Sequence, residues 1–306
     1  MFMRTTVGIT PMVLSQHKFG VLRIFSRSYA KSKSSKLWLD RSKKDPYTRE
    51  AKMQNLKSRA AFKLLQLDVK FKLFEKGQNV VDLGYAPGAW SQVAYERSKG
   101  TVLGVDILPC VPPPGVSSIQ GNILSKATQD RIRQHFNAER RKSDKGILVE
   151  SSEMSSQALV STESYLEREM TSQEGNVGNK FPIDLVLSDM CAPFTLFSGF
   201  SSMTTNMPYF RMANTSGLVV KDHQMSLDLC DAALILAIDM LRPGGAFVCK
   251  FFTGAEDKLL EKRLEKTFDK VWRFKPPASR DKSRECYFIC KGKRENIDKL
   301  EVFQTT

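Results

Sequence analysis

A lysine sits where a lysine is costly. Lys250 interrupts the apolar run Phe247-Val-Cys-Lys-Phe-Phe252, and an ammonium inside a buried strand is unfavourable unless a partner compensates it. Burial of this kind also lowers a lysine pKa toward the range where it can exchange protons near neutrality. Three more charged residues stand at positions that could face it. Asp189 ends the run Ile183-Asp-Leu-Val-Leu-Ser-Asp189, Glu285 lies in Ser283-Arg-Glu-Cys-Tyr-Phe288 at the entry to the last apolar run, and Lys63 lies in Ser58-Arg-Ala-Ala-Phe-Lys-Leu64. Each has a plainer reading. Lys63 could be a solvated lysine on a basic helix, Asp189 a cap of the next turn, and Glu285 a partner of Arg284 or Arg280. Lys250 has the weakest such alternative.

A second cluster is glycine-rich. Asp82-Leu-Gly-Tyr-Ala-Pro-Gly-Ala-Trp90 follows an apolar run, and Gly84 and Gly88 would let the backbone turn tightly and approach a ligand. The spacing is Gly-x-x-x-Gly, not the Gly-x-Gly-x-x-Gly of dinucleotide sites. Asp106 ends the next apolar run, where an acidic residue can take two ribose hydroxyls. An adenosyl ligand without a pyrophosphate fits better than NAD. The cationic sulfonium of S-adenosylmethionine would suit a pocket bordered by carboxylates. The bland alternative is a tight strand–helix turn.

The elements that must position these residues follow from periodicity. Strands are predicted at 79–84, 101–106, 118–122, 183–189, 246–252, 271–274 and 285–290. Helices are predicted at 58–73 with Ser58 as N-cap, at 90–98, from the third strand to about Phe136, at 222–241 ending before Pro243-Gly244-Gly245, and at 256–268. Strands alternating with helices predict an α/β fold: an open, mostly parallel seven-stranded sheet with helices on both faces. Ligands of such sheets bind at the carboxyl ends of the strands.

Composition bounds the partners. The 306 residues carry 47 Lys+Arg against 33 Asp+Glu, a net charge of +14, which points to a polyanionic partner, a targeting segment, or both. Residues 1–39 contain seven basic and no acidic residues, with six serines, the composition of a mitochondrial transit peptide. Residues 1–29 are read as that peptide, with cleavage after Tyr29, 30–55 as a basic extension, and 56–306 as the enzymatic domain. Within it, 138–180 reads as a polar insertion with eight serines and eight acidic residues. Lys36, Lys43, Lys44, Arg49, Lys52, Lys57 and Arg59 surround Trp38 and Tyr47, which could stack on bases. The six scattered cysteines are expected to be reduced thiols. No histidine has zinc-ligand spacing, so no metal is expected, and no apolar run is long enough for a membrane span.

In this order the motifs resemble the FtsJ-type RNA ribose 2′-O-methyltransferases. The matches are Ser-Arg-Ala-Ala-Phe-Lys63, Asp82-Leu-Gly-Tyr-Ala-Pro-Gly-Ala-Trp, Gly-Val-Asp106, Leu-Ser-Asp189-Met, Pro-Gly-Gly-Ala-Phe-Val-Cys-Lys250 and Ser-Arg-Glu285, over about residues 56–291. Within that family the chain most resembles fungal mitochondrial members that methylate a uridine ribose in large-subunit (21S-type) rRNA. The resemblance implies a Rossmann-like S-adenosylmethionine-dependent methyltransferase fold acting in the mitochondrial matrix. The substrate would be mitochondrial large-subunit rRNA or an assembling ribosomal subunit, and a monomer is expected. It also implies a catalytic tetrad of Lys63, Asp189, Lys250 and Glu285. Lys250 would be the base, with its pKa lowered by burial and by Lys63 or the sulfonium; Asp189 would orient it, and Lys63 and Glu285 would fix the ribose. The cofactor pocket would be lined by Gly84, Pro87, Gly88, Ala89, Trp90, Asp106, Asn122 and Asp189. Asn122 departs from the family, which often has Asp there, and so could accept a hydrogen bond only without charge. The competing reading is a ribosome-assembly factor that binds rRNA with methylation secondary. An NAD-dependent dehydrogenase lacks both its glycine pattern and a His or Tyr acid.

Overall fold

Short apolar runs closed by glycine or aspartate become the central strands, and amphipathic runs cover them. The computed structural model describes residues 44–146, 180–192, 194–195, 212–213 and 215–304. The transit-like segment, Lys36, Trp38, Lys43 and most of 138–180 lie outside the described residues. Helices α1 (Pro46–Met53) and α2 (Ala60–Phe71) precede β1 (Val80–Leu83), α3 (Ala89–Ser98), β2 (Val102–Asp106), β3 (Ser117–Gln120), α4 (Lys126–Gly146) and β4 (Ile183–Ser188). A short pair, β5 (Phe194–Thr195) and β6 (Met212–Ala213), follows. Then come α5 (Val219–Met240), β7 (Leu241–Phe252), α6 (Asp257–Thr267), β8 (Phe268–Phe274), β9 (Glu285–Lys293) and α7 (Lys299–Phe303).

The main sheet has seven strands in the order β3-β2-β1-β4-β7-β9-β8. The strands from β3 to β7 run parallel, whereas β9 is antiparallel to both β7 and β8. The sheet is therefore mixed, with the parallel portion carrying the crossover helices. Successive side chains along each strand point to opposite faces. One face buries Val81, Leu83, Val105, Val186, Phe247 and Phe251 against Leu227, Leu234, Leu236 and Ile238 of α5 and Ile132 and Phe136 of α4. The other buries Val80, Leu185, Leu187, Val248 and Ile289 against Ala61, Leu64 and Leu67 of α2 and Trp90 and Val93 of α3. Both faces of the central strands are dry, so those strands read as continuous apolar runs.

Several boundaries differ from expectation for local physical reasons. α2 begins at Ala60, not Ser58, because the Ser58 hydroxyl accepts the Ala60 N–H from outside the helix. It ends at Phe71, where Lys72 takes a left-handed turn and the Asp68 carboxylate accepts the N–H groups of Leu73 and Phe74. α4 runs on to Gly146, so residues 138–146 are helical rather than loop; Ala138-Glu-Arg-Arg-Lys is a run of strong helix formers. Pro243-Gly244-Gly245 does stop α5, but it lies inside β7 rather than before it. There the pairing jumps from Ile183 opposite Leu241 to Leu185 opposite Ala246, a bulge that glycine permits at Gly244, φ +76°.

α1 falls in the segment read as a basic extension. Its Asp45 N-cap accepts the Tyr47 N–H, and Pro46 supplies a pre-set first turn. Arg59 and Arg280 both pair with Asp45, and Arg59 also donates to the Ala278 carbonyl. Arg59 is thus a structural tie rather than a free RNA contact. Tyr47 packs against Phe62, with ring centroids 5.4 Å apart, and lies beneath Arg59; its ring is engaged within the fold. Arg49, Lys52 and Lys57 are exposed. All six cysteines are free thiols. Among the described residues no helix is long and apolar enough to cross a membrane, and no group of three potential ligands could hold a metal.

Candidate active site

The carboxyl ends of β1, β2, β4 and β7 meet at one edge of the sheet, and the glycine-rich turn after β1 sits there. Gly84 has φ +74°, and a Cβ on it would lie 2.7 Å from the Met190 side chain and 2.9 Å from Met190 Cα. Glycine at this point lets the Asp189–Met190 turn close directly onto the end of β1. Gly88, φ +102°, is the N-cap of α3 and packs against Pro113. Pro87 is exposed, while Ala89 and Trp90 are buried at the start of α3. Asp106 fastens the turn: its carboxylate accepts the Ala86 N–H (3.0 Å) and the Leu108 N–H (2.9 Å).

Two lysine–carboxylate pairs complete the edge. Lys250 Nζ donates to the Asp189 carbonyl (2.7 Å) and lies 3.1 Å from its Oδ1. Lys63 Nζ donates to Glu285 Oε2 at 2.7 Å. Glu285 opens β9 opposite Phe252, and Lys250 lies opposite Tyr287, so Lys250 and Glu285 sit on one face of the β7–β9 ladder. Glu285 is close enough to bias Lys250 electrostatically. The structure thus brings together the four residues Lys63, Asp189, Lys250 and Glu285. Glu285 pairs with Lys63, and Arg280 with Asp45.

The protonation of Lys250 runs against expectation. Burial pushes its pKa down, but the Asp189 carboxylate raises it, as do Cys191 and Glu285, and the net shift is upward from 10.5. The expectation of a lowered pKa rested on burial and on the positive charge of Lys63 or of the sulfonium. In the protein alone an anion at 3.1 Å outweighs burial, so Lys250 is an ammonium.

Asn122 does not join the cluster. It is exposed beyond the end of β3, and its side-chain oxygen accepts the Leu124 N–H at 3.0 Å, a local turn.

Two residues escaped sequence reasoning. Tyr287 is fully buried, and its hydroxyl donates to Asp189 Oδ1 at 3.1 Å. Burial and the Asp189 charge lift its pKa well above 10, so it remains a donor. Its ring lies 5.7 Å from Trp90, whose indole N–H donates to the Ala60 carbonyl of α2. The only signal in the sequence was a tyrosine in an alternating strand, which reads equally as core. Asp82 is completely buried at the end of β1. Its Oδ2 accepts the Ser91 hydroxyl (2.6 Å), while its Oδ1 has no hydrogen-bond partner. Burial, with a smaller push from Asp189 and Asp106, raises its pKa to about 7 against the lowering effect of the Ser91 bond.

Residues 56–293 match the FtsJ-like methyltransferase family. The chain is 50% identical to the Saccharomyces cerevisiae protein named "rRNA methyltransferase 2, mitochondrial", over 90% of this chain and 92% of the relative. It is 33% identical to the Schizosaccharomyces pombe protein of the same name, over 85% of this chain and 96% of that one. It is 35% identical to "Ribosomal RNA large subunit methyltransferase E" of Paramagnetospirillum magneticum, over 85% and 84%. A solved structure from Plasmodium falciparum, 25% identical, covers 77% of this chain and 97% of its own with a TM-score of 0.50. With a family match that spans most of the fold and relatives aligned along nearly their whole length, the chain belongs to the FtsJ-like methyltransferases.

Proposed function

We propose that this methyltransferase moves the methyl group of S-adenosylmethionine to the ribose 2′-hydroxyl of a uridine in mitochondrial large-subunit rRNA, free or in an assembling subunit. The observation that carries the reading is the joining of Lys250–Asp189 and Lys63–Glu285 at the strand ends beside the Gly84 turn. A binding protein would have no need of an ammonium inside a central strand. The names of the yeast relatives support mitochondrial rRNA as the substrate and the mitochondrion as the place. Cleavage of residues 1–29 would deliver the enzyme there.

The residues present fit a cationic adenosyl ligand. Asp82, Asp106 and Asp189 lie at the ends of neighbouring strands, and Asp82 keeps a buried oxygen without a partner. Asp106 would take ribose hydroxyls. The backbone of residues 87–89, with Trp90, would flank the adenosyl group, and Asp189 would face the cation. When bound, S-adenosylmethionine supplies an already activated methyl group on a positively charged sulfur.

The remaining work belongs to the protein. Lys250 takes the proton of the 2′-hydroxyl, which requires its neutral form. Asp189, which holds Lys250 as an ammonium, would be offset by a cationic ligand facing it, and Lys250 would then be free to act as the base. Tyr287 fixes the Asp189 rotamer, and the Lys63–Glu285 pair holds the ribose in line. Much of the acceleration comes from positioning. The exposed Arg49, Lys52 and Lys57 supply phosphate contacts, making binding salt-sensitive.

The test is ribose-methylation mapping of mitochondrial rRNA in cells with the wild-type gene, a deletion, or Lys250→Ala. The reading expects one uridine to lose its methyl group in both altered strains. An unchanged map overturns it.

A further inference from the structure

One end of β7 has no strand on its β4 side. β4 pairs with β7 only as far as Ser188 opposite Cys249, and then bends away as Asp189 turns toward Lys250. In the ladder with β9, backbone groups point alternately to the two sides of a strand. Beyond Cys249, the Lys250 carbonyl and the N–H and carbonyl of Phe252 are therefore left facing the vacated side. Buried backbone groups must find partners. Here all three find them on one helix.

The partners are His223, Ser226 and Cys230 of α5, spaced i, i+3, i+7 and hence on one face. The Cys230 thiol donates to the Lys250 carbonyl (3.1 Å). The Phe252 N–H donates to Ser226 Oγ (3.0 Å), whose own proton goes to the His223 carbonyl (2.7 Å). His223 Nε2 accepts the Glu256 N–H (3.2 Å), which leaves the proton on Nδ1 and makes it the donor to the Phe252 carbonyl at 2.6 Å. The chain beyond is fastened in the same place. Gly254 passes so close that a Cβ on it would lie 2.4 Å from the His223 ring, and its N–H donates to Asp257.

We infer that Ser226 and Cys230, with His223, are positioning residues for methyl transfer: they replace the missing strand and fix the backbone from which Lys250 reaches Asp189. None touches the reacting atoms. This rests on Lys250 as the base. A local shift of the 250–252 backbone would lengthen the Lys250–Asp189 contact, and displacement of a reacting group by about an ångström costs on the order of a hundredfold in rate. It would also weaken the anion that raises the Lys250 pKa.

The experiment measures single-turnover methylation of mitochondrial large-subunit rRNA as a function of pH for Ser226→Ala and Cys230→Ala. Ser226→Thr and Cys230→Ser, which keep a hydroxyl, serve as rescues. Leu264→Ala, a core change on α6, controls for lost stability. Calorimetry gives the affinity for S-adenosylhomocysteine. The expected result is a rate lower by roughly tenfold in each alanine variant, unaltered S-adenosylhomocysteine affinity, an acid limb displaced to lower pH, and recovery in the hydroxyl variants. If the alanine variants merely melt earlier, as Leu264→Ala does, with rate per folded molecule and acid limb unchanged, the positioning role is overturned. Should Ser226→Ala fail to fold, the Cys230→Ala and Cys230→Ser pair decides alone. Lys250→Ala separates the two readings. If it retains full turnover, Lys250 is not the base and both fall. If it is inactive while the α5 variants are normal, only the positioning role falls.

Discussion

The two lysine–carboxylate pairs are made of the same chemical groups and differ in how they are held. Lys63 and Glu285 come from a helix and a strand entrance, meet through one 2.7 Å bond, and are both about 12% exposed. Lys250 projects from a central strand, touches Asp189 through two atoms, and Asp189 is held in turn by Tyr287. The two pairs are sheltered to a similar degree, with Lys250 8% and Asp189 19% exposed, so burial is not what separates them. The pair joined by one bond orients whatever it touches, whereas the doubly joined pair with a tyrosine donor on its carboxylate stores a protonation state that a neighbouring charge can tip, because electrostatic interactions are stronger where water is excluded. Asp82 is a third case, a buried carboxyl with a hydroxyl but no cation, and its pKa rises to about 7.

Substitutions can break this contrast. Lys250→Ala should cost the most, about a thousandfold in methylation rate with donor affinity retained, measured in single turnover; a small loss would make the two pairs equivalent. Asp82→Asn tests the cation-free carboxyl. A raised pKa favours the fold fully below about pH 3.8, and that contribution is lost as pH rises through about 7. Between pH 4 and pH 8 the Asn variant should therefore gain on the wild type by up to about 4 kcal/mol in denaturant titrations. A pH-independent difference would remove the buried-acid reading. Lys63→Ala should lower turnover by roughly ten- to a hundredfold, since it disturbs orientation and leaves Glu285 unpaired. Its acid limb should move up slightly, because Glu285 without its cation pulls harder on Lys250; an unmoved limb would make the two pairs electrostatically independent. Tyr287→Phe removes only the hydroxyl, and roughly threefold to tenfold slower turnover is expected. Its acid limb should move up, because Asp189 loses a donor and pulls harder on Lys250.

Much of the site was legible because its residues are anomalous in place. Lys250 breaks an apolar strand, Asp189 ends one, and Gly84 and Gly88 mark a turn too tight for other residues. The central strands were legible for the same reason, as dry runs with hard stops. What escaped depends on pairing across long sequence distances. The placing of β9 between β7 and β8, and with it Tyr287 opposite Lys250, follows from a register that no local pattern encodes. The Asp45 tie to Arg59 and Arg280 joins segments 235 residues apart. The protonation of Lys250 in the protein alone was not legible, because its sign depends on a 3.1 Å contact with a carboxylate from another strand. Asn122 was placed by motif; it stands exposed just past β3, with its oxygen accepting the Leu124 N–H, a turn that no local pattern announced.

The last strand of the chain lies inside the sheet, not at its edge. It carries Glu285 and Tyr287 and covers one whole side of β7. A chain emerging from its N-terminus therefore completes the parallel strands while its central ladder still has an open flank. Any product cut short before β9 would present that flank to its neighbours and would lack both the carboxylate of one charge pair and the tyrosine that steadies the other.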